Sequence, residues 1–305
     1  MGFYDTMIKE LFRSCPRLVV RAVNSLFDKN YDINTEIIYL DKEQNSANTT
    51  YMDEFLQIGD NRYHVEFQME EDEMALRMFE YATKEAVQLL KSKSQNRYYI
   101  EATMPRQVVV FLAGENKEDK ILTKLTLPDG KTIEYSIDCV SVAKSVEELE
   151  ERDLIIFTPF QSAKLGKKID GVKYLTGAKL ETTAKQIAKD LIDSKRKVKM
   201  LLLKLHEHGI IDLREIQELL GKLDDLSEYL LKKNTLVEEE VTSMGDEDYI
   251  PLSHRIKKAV EEGRAEGRAE GRAEGRAEMQ SENNALKEEN RALRAELEAL
   301  KASMA

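Results

Sequence analysis

The sequence predicts an α/β chain of the α+β kind, with strands and helices interleaved over its first half and helix over most of the rest. Three observations carry this. Up to about Phe160, β-branched and aromatic runs of strand length alternate with amphipathic stretches of helical period. Beyond that point apolar residues recur only at helical spacing. The composition, with 34% charged residues, 7% aromatic residues, no Trp and 5 Pro, favours solvated helices over a β-sandwich.

Residues 3–29 carry Met7, Ile8, Leu11, Phe12, Leu18, Val19, Val23 and Phe27 at helical spacing. Pro16 interrupts the pattern and predicts two short helices or one kinked helix. The β-branched run TEIIYL (35–40) predicts a strand. YMDEFLQI (51–58) and RYHVEFQM (62–69) flank Gly59-Asp60-Asn61 and predict a hairpin. In DEMALRMFEYATKEAVQLLK (72–91), Met74, Met78, Ala82 and Leu89 form one stripe of an amphipathic helix. RQVVVFLA (106–113) and TIEYSIDCVSV (132–142) are further strand candidates, the second entered through the turn signal Pro128-Asp129-Gly130. KQIAKDLIDSKRKVKMLLLKLHEH (185–208) and DLREIQELLGKLDDLSEYLLKK (212–233) then predict long charged helices.

These elements divide the chain into an α/β domain over 1–160 and an all-helical domain over 161–236, followed by an acidic linker and helix start over 237–261. Within the linker, VEEEVTSMGDEDY (237–249) reads as solvated. A tetrapeptide repeat fills 262–278, with EGRA occurring in tandem from Glu262 to Ala277. It sets like charges beside each other at i,i+4 and adds glycines, so a helix here needs a packing partner. A coiled coil is expected over 279–305. Leu286, Leu293 and Leu300 recur every seventh residue at d, with Asn283, Asn290 and Leu297 at a. Glu282, Glu289 and Glu296 at g face Lys287, Arg294 and Lys301 at e, which predicts a parallel homodimer held by Leu286, Asn290, Leu293, Leu297 and Leu300.

A net charge of −11 excludes a chain that holds nucleic acid by overall basicity, so any DNA contact must be local. Cys15 and Cys139, far apart in sequence, fit free thiols of a reducing compartment, and the expected location is cytoplasmic. No signal peptide and no apolar span of membrane length is legible, so no membrane partner is expected. Phosphate-loop, dinucleotide and nucleophile-elbow motifs are all missing from the sequence.

The hairpin carries the chemistry. Strand alternation sets His64, Glu66 and Gln68 on one face and Tyr63, Val65, Phe67 and Met69 on the other. If Asp60-Asn61 alone turns the chain, Asp53 lies directly opposite Gln68 and next to Glu66. Two carboxylates and an amide on one face suit a hard divalent cation. The plainer reading of the same residues is two acids on an exposed antiparallel face, with His64 a satisfied polar residue.

Asp53, a hairpin turn and Glu66-Phe67-Gln68 together resemble the D…ExK signature of PD-(D/E)XK nucleases, in the D…ExQ form of the Rpn family of recombination-promoting nucleases and transposases. Further segments follow in that family's order: Asp5, Lys9, Leu11 and Phe12, then Asn24, Arg77-Met78-Phe79-Glu80-Tyr81, VVVFL (108–112), the Pro-Asp-Gly turn with its Tyr, and LIIFTPF (154–160). The resemblance covers roughly the first half of the chain. It implies a restriction-endonuclease-like core of mixed sheet flanked by helices, and a metal-dependent DNA endonuclease that hydrolyses phosphodiester bonds in recombination or mobile-element activity. Asp53, Glu66 and Gln68 would be catalytic, and Asp53, Glu66 and the Phe67 carbonyl would hold Mg²⁺, or alternatively Mn²⁺. Gln68 replaces the usual lysine and carries no charge, so less electrostatic stabilisation is available from that position, and Met52 stands where the family usually has proline. Asp5, Lys9, Glu10, Arg77, Tyr81 and Lys84 are candidate supporting or DNA-contacting residues. The rival expectation is a catalytically degenerate nuclease fold that oligomerises and binds or regulates other proteins.

Overall fold

The computed structural model describes residues 2–40, 53–69, 74–93, 101–114, 118–244 and Lys287, with the side chains of Asp53 and of residues 91–93 left out. Two helices open the chain, α1 (Phe3–Ser14) and α2 (Pro16–Phe27), separated at Cys15. The break falls there because Pro16 takes the first position of α2, where its missing N–H is no loss and its fixed φ starts a new helix. Asp5 sits at the third position of α1 and its carboxylate accepts the Gly2 N–H at 3.2 Å. α2 ends at Asp28, in a left-handed conformation at φ 50°. Asn24 then clamps the following loop, its amide nitrogen donating to the Tyr31 carbonyl at 2.9 Å and its oxygen accepting the Tyr31 N–H at 2.8 Å.

Next come β1 (Ile38–Tyr39), β2 (Asp53–Ile58), β3 (Asn61–Gln68), α3 (Met74–Lys93), β4 (Arg106–Phe111), β5 (Lys120–Thr126) and β6 (Thr132–Ser141). They form one six-stranded mixed sheet in the order β1-β2-β3-β4-β6-β5. β2 pairs antiparallel with β3, while β3, β4 and β6 run parallel. The run 35–40 is paired only at Ile38–Tyr39. β5 has no counterpart among the expected strands, since its lysines dilute the apolar run, and it is held by pairing along β6. The hairpin turns at Gly59-Asp60, with Gly59 at φ 57° in the first turn position, where two-residue hairpins want glycine.

Helices α4 (Val146–Glu151), α5 (Gly166–Val172), α6 (Gly177–Glu207), α7 (Leu213–Leu231) and α8 (Thr235–Ser243) complete the described fold, with a 3-10 stretch over Ile155–Leu165. One layer, built from α1, α2, the 3-10 stretch, α6 and α7, covers the sheet face that carries Tyr63, Val65, Phe67, Val108, Val110 and Val140. Phe67 is its centre, 5.5 Å edge-on from the Phe12 ring and 5.9 Å from Phe157. The opposite face is covered by α3.

Two expectations are corrected here. The boundary at 160/161 is no seam, because it falls inside the 3-10 stretch and the buried faces of α6 and α7 belong to the same core as the sheet. The charged helices have one apolar stripe each, and that stripe has nowhere to go except the sheet's helical layer. Likewise the acidic 237–249 segment begins as helix, with Val237 and Val241 buried against that core. The chain divides instead into Met1–Ile250 and Pro251–Ala305. The EGRA repeat and the coiled-coil residues Leu286, Asn290, Leu293, Leu297 and Leu300 lie outside the described residues. Among the described residues no helix is long and apolar enough to cross a membrane.

The shared core predicts shared unfolding. Leu219→Ala, in the fully buried stripe of α7, is expected to lower stability by about 2–5 kcal/mol, with urea transitions by circular dichroism and tyrosine fluorescence remaining coincident. Two separated transitions would make sheet and helices independent. A second expectation concerns acid. Asp212 caps α7 by accepting the Glu215 N–H at 2.9 Å and pairs with Arg17 at 3.0 Å. The Glu215 N–H, aided by Arg17, holds its carboxyl below the ordinary value of 3.8. The depressed folded value means that this contribution is present at neutral pH and is lost as pH falls below about 3.8. Asp212→Asn, which keeps a cap but no charge, should lower Tm at pH 7 and converge with wild type in that acid range.

Candidate active site at the β3–α3 interface

β3 is buried on both faces, yet one face is polar. Arg62, His64 and Glu66 point toward α3, and His64 and Glu66 are wholly inaccessible to solvent. A buried charge costs several kcal/mol unless it is paired, and α3 supplies the partners in order. Arg77 Nη2 donates to Glu66 Oε1 at 2.6 Å, Tyr81 meets the His64 ring edge-on at 5.4 Å, and Glu85 pairs with Arg62. The match is a matter of pitch. Four helical residues advance ~6 Å and two strand residues ~6.7 Å, so an antiparallel helix keeps Arg77, Tyr81 and Glu85 abreast of Glu66, His64 and Arg62.

His64 is fixed on all sides. Phe55 stacks on its ring at 4.1 Å, and Gln107 Nε2 lies 3.0 Å from its Nδ1 and 2.8 Å from the Met78 carbonyl. The Met78 carbonyl can only accept, which orients the Gln107 amide and makes His64 Nδ1 an acceptor. The hydrogen of the neutral ring then sits on Nε2, which lies 3.4 Å from Glu66 Oε2. Gln68 completes the surroundings of Glu66, its Nε2 donating to Oε1 at 2.7 Å.

Across the hairpin, Asp53 pairs with Glu66 rather than with Gln68, because the turn is Gly59-Asp60 and the register shifts by two residues. Parity is unchanged, so Asp53 remains at a register position of Glu66's face. Leu112 N–H donates to the Gln68 carbonyl at 2.7 Å. Alternation along β3 therefore turns the Phe67 carbonyl to the β2 side and makes Asp53–Glu66 a non-hydrogen-bonded pair, whose Cα atoms approach to ~4.5 Å. The Asp53 side chain lies outside the described residues. Among the described residues no group of three or more His, Cys, Asp or Glu is placed to hold a metal ion. The donors at this end of the hairpin, Glu66 and the Phe67 carbonyl, are oxygens of the kind Mg²⁺ takes.

The other candidates fall in different places. Lys84 is exposed, 4.0 Å from Glu80, so of the three candidates on α3 only Arg77 and Tyr81 meet the hairpin. Asp5 is occupied in capping α1, Glu10 pairs with Lys222 of α7, and Lys9 borders that same groove, so none of the three is brought to Glu66. Sequence reasoning missed Arg62, Glu85 and Gln107. Glu85 was detectable as the i+4 successor of Tyr81 once α3 is read against the period of β3, whereas Gln107 depends on the parallel pairing of β4. A cavity of about 840 Å³ opens elsewhere, between the end of α2 and strands β4 and β6, with Asp28, Arg106, Asp138 and Arg152 in its mixed lining.

Comparison with protein-family models, with curated proteins and with solved structures finds no match for the chain.

The buried pair makes a sharp prediction. Arg77→Ala leaves the Glu66 charge inside the protein without its cation and should lower the unfolding free energy by about 3–5 kcal/mol. Adding Glu66→Gln should recover a large part of that loss in the double variant, measured by urea unfolding.

Proposed function

We propose that the chain is a Mg²⁺-dependent DNA endonuclease of the Rpn type, hydrolysing phosphodiester bonds at the β2–β3 hairpin, with Mn²⁺ as the alternative ion. The observation that carries this reading is the direct pairing of Asp53 with Glu66 across the hairpin, with Gln68 bonded to Glu66 on the same face. Asp53, Glu66 and the Phe67 carbonyl would hold the ion. When bound, it would supply an activated water and charge neutralisation at the phosphate.

The remaining work belongs to the protein's own side chains. Gln68 uses its amide N–H on Glu66, which leaves its carbonyl oxygen to orient a water by accepting from it. Arg77, about one-fifth exposed, brings its positive charge to Glu66 at this end of the hairpin, where a phosphate would be attracted. Lys84, exposed one turn beyond Tyr81, adds positive charge along the same helix. DNA contact of this local kind suits a chain that is acidic overall. Recombination or mobile-element activity rests on the family resemblance, and dimerisation through 279–305 on the heptad pattern.

One observation favours the alternative of a degenerate nuclease fold serving as an oligomerising interaction protein: Glu66 is already held by the protein's own cation and amide. Metal titration separates the two. The purified protein, incubated with supercoiled and linear DNA in Mg²⁺ or EDTA, is expected to nick only with the metal. Asp53→Ala and Glu66→Gln should each lose nicking by at least ~100-fold, in keeping with removal of one group that stabilises transition-state charge, and should lose Mg²⁺ heat in calorimetry. Folded wild type that is inert and takes up no Mg²⁺ would leave the interaction protein as the reading.

A further inference from the structure

Among the described residues the sheet ends in an open edge at β5. β5 (Lys120–Thr126) is the last strand in the order, and among the described residues nothing pairs with its outer side. Cys139 N–H donates to the Asp119 carbonyl and Leu127 N–H to the Lys131 carbonyl, so the odd-numbered residues of this strand face β6. Lys120, Leu122, Lys124 and Thr126 therefore turn their N–H and C=O groups outward. An open edge of seven residues is a template for another strand unless something blunts it. Here the usual guards are only partly offset by ion pairs within the chain. Lys120 is paired with Asp138 at 3.5 Å and Lys124 with Glu134 at 2.8 Å, both on the neighbouring strand. Leu122, at an outward position between them, is 65% exposed.

From these observations we propose that β5 is a homodimer interface, in which two copies of the chain join edge to edge as antiparallel β5 strands about a two-fold axis at Thr123. The register follows from charge. Outward-facing residues must pair with one another, which leaves three registers that pair at least five of the strand's seven residues. Centring the axis on Leu122 sets Lys120 against Lys124, and centring it on Lys124 sets Lys124 against itself. Only the axis at Thr123 sets Lys120 against Thr126, Lys124 against Leu122 and Ile121 against Leu125, so no like charges meet.

A second observation, independent of the edge, falls on the same axis. Thr123 Oγ1 is buried and has no hydrogen-bond partner within the chain, an arrangement that is costly in a folded protein. In the proposed register Thr123 meets Thr123 of the other copy in a non-hydrogen-bonded pair, the closer kind, and a change of rotamer that turns each covered hydroxyl toward the edge would let the two bond across the strands. The sheet would then continue from one copy into the other.

The test uses the full chain and reads the contact rather than the size of the assembly, because a dimer formed through 279–305 would give the same size. Thr123→Cys should form a disulfide-linked dimer under mild oxidation, whereas Leu122→Cys, which faces Lys124 of the other copy, should not. Wild type is the control, since Cys15 and Cys139 are buried. Adding Leu122→Pro to Thr123→Cys removes an outward N–H that the fold does not use and should abolish the link. Without any variant, hydrogen exchange at the Lys120, Leu122, Lys124 and Thr126 amides should slow by ~10-fold or more on going from dilute to concentrated protein. Equal linking by both cysteine variants, or exchange at those amides that ignores concentration, would overturn the interface.

Discussion

A strand buried on both faces, one of them charged, is the constraint around which this fold is organised. β3 cannot leave Glu66 inside the protein, nor α3 its Glu85, unless opposite charges meet them at matching intervals, and the pitch of α3 against β3 allows it. The other stripe of α3, with Met74 and Met78, lies over Val109, Phe111, Ile137 and Cys139. One helix thus satisfies polar residues along β3 and apolar ones along β4 and β6. Rotating it would strand one set or the other, and this fixes the helix over the sheet more tightly than apolar packing alone, which tolerates shifts among similar side chains.

On the opposite face the logic is ordinary burial on an extended scale. Phe12, Phe67 and Phe157 bring α1, β3 and the 3-10 stretch together, and the apolar stripes of α6, α7 and α8 continue the same core. The helices that look autonomous in sequence are thus the outer wall of the sheet's core. Polar ties reinforce the join, with Arg17 of α2 reaching Asp212 and Glu215 and Lys222 of α7 reaching Glu10. Glu10 is thereby committed to holding two helices together, a different task from supplying a further acid beside Glu66.

The candidate site inherits its character from the first constraint. Glu66 is preorganised, since its carboxylate is gripped by Arg77 and Gln68 and flanked by His64, whose ring is held by Phe55, Tyr81 and Gln107. Such a grip would limit rearrangement during a reaction. It also ties Arg77 to this end of the hairpin as counter-ion to a buried acid. The edge at β5 is a separate property of the same sheet, placed at the far side from β1 and β2.

By itself the sequence determined the elements whose signals are local. Pro16 divided the first helices, the alternation of RYHVEFQM assigned His64 and Glu66 to one face, and the methionine stripe of 72–91 announced α3. Parity also survived: Asp53 and Glu66 stay together under either hairpin turn, because a two-residue shift preserves the face. Tertiary structure decided what depends on neighbours distant in the chain. Which residue lies opposite Asp53 followed from the turn that Gly59 makes. Whether the polar face of β3 was solvated or buried depended on α3 lying across it, and whether the acidic 237–249 segment began as linker or helix depended on a core waiting for Val237 and Val241. β5 carries too weak a pattern to declare itself and exists as a strand because β6 offers it a ladder. Local periodicity selects the kind of element, but burial and register are set by partners that a linear pattern does not name.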